Sequence, residues 1–458
     1  MALMRLNSQA RSRKRMPALK RLFWLYFLLL VFEGALRKWL LPQLSTPLLL
    51  VRDPVAIVII WEAYRTAKWP KQWSAVTGIL ATGLVGLCLV QLVAGDNPWF
   101  AALYGLRSYL LPFPVAFIMG ENLDAEDLRK FGNCILWLLL PLTLLEVIQY
   151  NAPPNSFWNA GASVGATQLG YVAGHVRASA TFSYVIGPTF YVPLAAAFVF
   201  YGMANPKFAK KWLLWAAAGA LILSIPVIGS RTVAYELAAL LVCVGVAALF
   251  GVSQFAKSLQ MIAVLVVVFG LVSQLPVFSD AAGSFFERFE GANSSEGGSA
   301  ESSILLRVIH PITGSIEYSL AENNLLGIGI GHGANAITKL LTGDVTFLAG
   351  EDEASRIMVE FGWPCGLAFM LFRFLLAIMI AAKALSRARE GQPLSWLLVS
   401  VTFMTLVLGG VDQPTVQGFM VICMAFSLAG LKQVGVPLES MPTKIRRPVQ
   451  TSSHSLAN

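Results

Sequence analysis

Long, mostly apolar runs recur along this chain, at about 19–36, 47–63, 74–93, 101–119, 131–150, 184–203, 212–228, 232–250, 257–277, 356–382, 394–411 and 415–433. A helix rising ~1.5 Å per residue needs about 20 such residues to cross a hydrocarbon core ~30 Å thick, where every backbone N–H and C=O must be satisfied within the segment. The repetition predicts an all-α integral membrane protein of about twelve transmembrane helices. Composition agrees, since 56% of the 458 residues are hydrophobic and 13% charged, against roughly 25% charged in soluble domains. The second run is the weakest: Arg52-Asp53-Pro54 interrupts it and predicts a broken or short span supported by neighbouring protein.

The net charge of +9 comes with no nucleic-acid-binding motif, so the lipid bilayer and not nucleic acid is the expected partner. With the N-terminus inside, the connections assigned to the cytoplasm hold Arg5, Arg11, Arg13, Lys14, Arg15, Lys20 and Arg21, then Arg65, Lys68 and Lys71, then Arg129 and Lys130. They continue with Lys207, Lys210 and Lys211, Lys257, Lys383, Arg387 and Arg389, and Lys432, Lys444, Arg446 and Arg447. This positive-inside asymmetry predicts two cytoplasmic termini. The expected organisation is a basic N-terminus (1–18), transmembrane helices 1–9 (19–277), one long extracytoplasmic loop (278–355), transmembrane helices 10–12 (356–433), and a polar, disordered cytoplasmic tail (434–458). No small-x-small cleavage site follows the first run, which reads as an uncleaved span. The five cysteines lie inside apolar runs without a CxxC pair, so neither a disulfide framework nor a metal site is expected.

The basic residues left for the outer side and the membrane interior are Arg37, Lys38, Arg52, Arg107, Arg177, Arg231, Arg288, Arg307, Lys339, Arg356 and Arg373. Charge beside hydrocarbon is costly and usually marks a polar site. The planar guanidinium fork suits phosphate oxygens, so several such arginines together suit a lipid-linked diphosphate. For Arg177 the competing reading is snorkelling to lipid phosphate; for Arg231, a helix cap or lipid contact; for Arg107, a buried structural ion pair. The long loop carries many acids, so an anion site must be local and beneath it. Its run Gly327–Gly333 lacks both the GxGxxG spacing and the Gly-Lys-Ser/Thr ending of phosphate loops. His332 within that run is either structural or a substrate contact. Glu351-Asp352-Glu353 opens a span, where helix capping competes with a general-base role. Arg356 lies three residues after Glu353, within reach on one helix face. The candidate catalytic residues are therefore Glu351, Asp352, Arg177 and Arg231, and the candidate substrate-binding residues Arg356, Arg107, Arg288 and His332.

Four segments appear in order across about 177–366: Arg177-x-Ser179-x-Thr181-Phe182, Gly229-Ser230-Arg231, Asn324-Leu325-Leu326-Gly327-Ile328-Gly329-Ile330-Gly331, and Val359-Glu360-Phe361-Gly362. In this order and spacing the chain resembles the O-antigen ligases and Wzy-type O-antigen polymerases of bacterial inner membranes. The resemblance implies a helical GT-C-type fold and a metal-independent, cofactor-free, inverting transfer. A glycan would pass from undecaprenyl diphosphate to a glycan or lipid acceptor hydroxyl at the outer face, in O-antigen or exopolysaccharide biosynthesis, beside other polysaccharide-assembly proteins. It also implies that Arg177 and Arg231 hold the diphosphate. Members carry a His-Asn pair about eleven residues before the glycine matching Gly362; here Glu351-Asp352 stands there, a carboxylate in place of the imidazole. The stretch Phe32–Trp39 is not part of the main ligase pattern and points to a divergent exopolysaccharide branch. The alternative reading is a polysaccharide or lipid-carrier transporter or flippase, whose sites lie near the midplane between pseudo-symmetric halves; the one-sided placement of charge favours surface chemistry.

Overall fold

The computed structural model describes residues 2–94, 97–162, 167–168, 171–172, 175–249, 270, 283, 313–317, 320, 325–334, 337–338, 341 and 352–432. The expected ninth span, most of the long loop with Arg288 and Glu351, and the C-terminal tail fall outside these residues.

The chain is an all-α membrane protein. Among the described residues, nine helical stretches are long and apolar enough to cross a membrane. The helices are α1 (Ala2–Ala35), α2 (Ser45–Leu48), α3 (Arg52–Arg65), α4 (Lys71–Ala94), α5 (Trp99–Leu110), α6 (Pro112–Asn122) and α7 (Ala125–Asn151). They continue as α8 (Ile186–Ala204), α9 (Lys211–Ile228), α10 (Arg231–Leu249), α11 (Glu353–Phe361), α12 (Trp363–Arg389), α13 (Leu394–Phe403) and α14 (Pro414–Leu431). A two-residue antiparallel pair, β1 (Tyr171–Val172) and β2 (His175–Val176), joins Tyr171 to Val176 and Val172 to His175.

Three expected spans are broken, each for a local reason. The second consists of short pieces ahead of α3, and Pro54 sits in the first turn of α3, where a missing N–H costs no helical hydrogen bond. Pro112 opens α6 directly after α5. The expected span at 356–382 is two helices, α11 and α12, divided at Gly362 with φ +76°. A Cβ there would collide with the Leu325 carbonyl, so both the left-handed backbone and the close approach call for glycine.

Successive spans run back and forth, so the residues before α8, α10, α11 and α14 gather at one end of the bundle and those after α6, α12 and α14 at the other. Cross-contacts fix this. Gln91 near the end of α4 reaches Leu326 and Glu360 at the first end; Lys20 of α1 pairs with Asp124 at the second, at 2.7 Å. α8 and α14 are almost wholly buried, whereas α4 leaves Ile79, Leu89 and Val93 exposed. Lipid tails are as apolar as leucine, so the interior is held by close packing: Trp24 stacks on Phe131 at 3.8 Å, and Phe182 lies 5.7 Å from Phe419 of α14.

Candidate functional site

The first end of the bundle holds a belt of buried charge. Past α1 the chain makes a π-helical turn, Leu36–Leu40, a distortion often found at functional sites. It carries Arg37 and Lys38, both buried. Glu33 on the preceding turn is shared by Arg37 at 3.5 Å and by Arg52 of α3 at 3.1 Å. Arg37 also donates to the carbonyl of Ser45 at 2.9 Å, to Oγ of Ser183 at 2.8 Å and to the carbonyl of Ala162 at 3.3 Å. Lys38 Nζ donates to Oγ of Ser179 and, at 3.2 Å, to the carbonyl of Ala180. Burial, with Arg37 adjacent, pushes the Lys38 ammonium down to about 7.

These contacts lock the segment that begins at Arg177. Gln149 of α7 accepts the Ser179 and Ala180 N–H groups at 3.1 and 2.8 Å, and Thr181 donates to the Val31 carbonyl at 2.6 Å. Arg177 itself is half-buried. Its neighbour Ala178 packs with Tyr150 and Val227, and His175 stacks on Tyr150 at 4.3 Å. Val227 lies two residues before Gly229, whose left-handed conformation (φ +58°) ends α9; Arg231 then opens α10. The segment after Arg177 and the last turn of α9, four residues before Arg231, thus meet on one small apolar cluster.

The second half of the belt surrounds α11. Asp352 caps it: one carboxylate oxygen accepts the Ser355 N–H at 2.8 Å and the other the Ser355 hydroxyl at 2.6 Å. Glu353 accepts from Arg373 of α12 at 2.7 Å, from Arg356 at 3.4 Å and from the Val411 N–H at 3.2 Å. Arg356 also pairs with Asp412, and Arg373 donates to the carbonyls of Leu406 and Gly409, each at 2.6 Å. All four charged groups are buried. Desolvation raises Glu353 and Asp412 above the usual carboxylate range, opposed by the arginines beside them. The two halves are joined by Arg52, which donates to the carbonyl of Pro414, two residues from Asp412. Beside Arg52, Arg107 pairs with Asp53 and lies over the Tyr104 ring at 4.9 Å.

Glu360, fully buried, occupies the glycine run. Its two carboxylate oxygens accept the N–H groups of Gly331 at 2.9 Å and Gly333 at 2.8 Å, so this loop's anion-binding amides are taken by the protein's own carboxylate. Gln91 completes the clasp, donating to the carbonyls of Leu326 (2.6 Å) and Glu360 (2.8 Å) and accepting the Ile330 N–H (2.8 Å). Gly331 (φ +83°) lies against Gly105 of α5, leaving no room for a Cβ on either. Burial pushes Glu360 up to about 7 and is opposed by the Gly331 N–H and by Arg356. His332 is half-buried, and desolvation lowers its imidazole.

Of the residues singled out from sequence, Arg177 precedes Ala178 and Arg231 follows Val227 by four residues, two members of one small apolar cluster, and Asp352 is the cap of α11. Arg356 is paired with Glu353 as its spacing predicts, and also with Asp412. Arg107 has the ion pair of its structural alternative, with Asp53, though the pair is only partly buried. His332 sits in the clasped glycine run, and Glu351 and Arg288 lie outside the described residues. Sequence reasoning missed Asp412, Gln91 and the role of Glu360, and left Arg373 without a partner. The clue available was intramembrane charge itself, since a buried ion demands a counter-ion. No protein-family model matches the chain, and comparison with curated proteins gives no match.

Proposed function

We propose that this chain transfers a polyprenyl-diphosphate-linked glycan to an acceptor hydroxyl at the outer face of a bacterial inner membrane. In this reading it is a divergent, GT-C-like relative of the O-antigen ligases and polymerases, with about twelve spans and both termini cytoplasmic. One observation carries the reading: buried polar contacts at one end of the bundle run from Ser179, beside Arg177, through Lys38, Arg37, Glu33 and Arg52 to Pro414, Asp412 and Arg356. Along that run Glu353 and Asp412 balance Arg356 and Arg373, whereas Glu33 faces two arginines with Lys38 adjacent. The surplus positive charge is therefore next to the Arg177 segment, where a diphosphate would dock.

In the proposed reaction Arg177 and Arg231 hold the diphosphate oxygens. Both Asp352 oxygens already accept from Ser355, so Glu351 takes the proton of the acceptor hydroxyl while Asp352 keeps α11 in place. The acceptor oxygen bonds to the anomeric carbon, the bond from that carbon to the diphosphate oxygen breaks, and the electron pair leaves on the diphosphate with inversion. Charge developing on the leaving group is what the guanidiniums stabilise.

Arg177→Ala and Arg231→Ala should each lower polymer formation by about 10²-fold or more, with unchanged amounts of protein in the membrane. Lysine at either position supplies a point charge without the fork and should restore only a minor part of the activity. Normal polymer from both alanine variants refutes the assignment.

A further inference from the structure

At the end of the bundle opposite the charge belt there is a cleft of about 510 Å³ between the first turn of α4 and the last turns of α6, α12 and α14. Its floor is apolar, formed by Trp73, Gly120, Leu428 and Leu431; Trp73 is fixed by stacking on Phe117 at 4.3 Å. Its rim carries Lys383, Arg387 and Lys432.

The acids at the rim are engaged. Glu121 accepts from Gln72 at 3.0 Å, and Glu390 pairs with Arg387 at 2.7 Å. Lys432 Nζ donates to the Glu121 backbone carbonyl, and Lys383 has no carboxylate partner among the described residues. Cations at the ends of helices also complement the helix dipoles, but that accounts for neither the cavity nor its apolar floor. The combination lies at the ends of four candidate spans, so a ligand here would have its charge toward the bundle end and its body against apolar side chains.

We propose that this cleft binds the headgroup of an anionic phospholipid, with the phosphodiester on Lys383 and Lys432 and the start of an acyl chain against Trp73, Leu428 and Leu431. Basic pockets between spans on the cytoplasmic side of membrane proteins take such headgroups, each Lys or Arg adding a modest increment. The inference does not depend on the transfer reaction, because the cleft shares no residue with the belt.

The test is native mass spectrometry of the full-length protein, titrated in detergent with phosphatidylglycerol, phosphatidylcholine or soluble glycerol phosphate. The wild type should retain phosphatidylglycerol in preference to phosphatidylcholine and release glycerol phosphate. Lys383→Gln and Lys432→Gln should each weaken phosphatidylglycerol retention about fivefold. Ser386→Trp, which fills the cleft without changing charge, should abolish it. Arg129→Gln, at the same end but outside the cleft, should bind as the wild type does. Equal retention of the two lipids, glycerol phosphate held as firmly as phosphatidylglycerol, or equal losses in Arg129→Gln and Lys383→Gln would each overturn the proposal.

Discussion

Replacing Glu353 with alanine is expected to remove about 3–5 kcal/mol of stability, because it leaves a buried cation without its counter-ion. Arg373 is only 1% exposed and has Glu353 at 2.7 Å as its single carboxylate among the described residues; its other hydrogen bonds go to two backbone carbonyls, and it lies 6.0 Å over the Phe369 ring. Arg356 loses one of its two acids but keeps Asp412. The Val411 N–H also loses its acceptor, which adds the cost of an unmade hydrogen bond. The double variant Glu353→Leu with Arg373→Met removes both charges together and should recover most of the loss, since a well-packed apolar pair is often as stable as a buried ion pair. Denaturant unfolding in detergent reads both. An alanine variant as stable as the wild type would show that the pair is not desolvated as described.

The second large effect is a pH dependence centred on Glu360. Burial raises its carboxyl from the ordinary 4.5 to about 7. A carboxyl that ionises less readily in the folded chain than in the unfolded one stabilises the fold fully below about 4.5 and loses that contribution as pH rises through about 7. The shift corresponds to about 3 kcal/mol lost across that window. Glu353 and Asp412 are raised by the same desolvation and add a loss of the same sign. Glu360→Gln does not titrate, so its stability should change less between pH 4.5 and 7 than that of the wild type. Its side-chain oxygen can still accept one of the Gly331 and Gly333 N–H groups, while its amide turns a donor toward the other. The variant should therefore be less stable at pH 4.5, by about 1–3 kcal/mol, and close part of that gap by pH 8. Parallel stability profiles for the two proteins would contradict this origin of the pH dependence.

Nine of the expected spans were legible among the described residues because apolar runs of membrane-crossing length have few other uses, and the Arg356–Glu353 contact because residues three apart share a helix face. Two kinds of feature were hidden. Breaks such as Gly362 depend on the Leu325 carbonyl of a distant loop, so the apolar run through 356–382 reads as continuous until that contact is seen. Ion pairs between separate helices, such as Arg52 with Glu33 and Arg373 with Glu353, join residues whose spacing carries no helical or strand period. The Phe32–Trp39 stretch was conspicuous in sequence, yet its role in anchoring Ser179 and Ser183 emerges only from the packing of α1 on the segment before α8. The glycine run shows the same division. Its spacing already argued against a nucleotide, but the carboxylate that fills it comes from Glu360, 29 residues beyond Gly331.

Reconstitution of the purified protein with a polyprenyl-diphosphate oligosaccharide and an acceptor glycan or lipid addresses the proposed reaction itself, with free polyprenyl diphosphate and lengthened or transferred glycan measured together. Both products should form in equal amounts without added metal, and both should disappear in Arg177→Ala and Arg231→Ala. Intact donor after incubation with folded wild-type protein, or product formation unaffected by loss of both arginines, would contradict it.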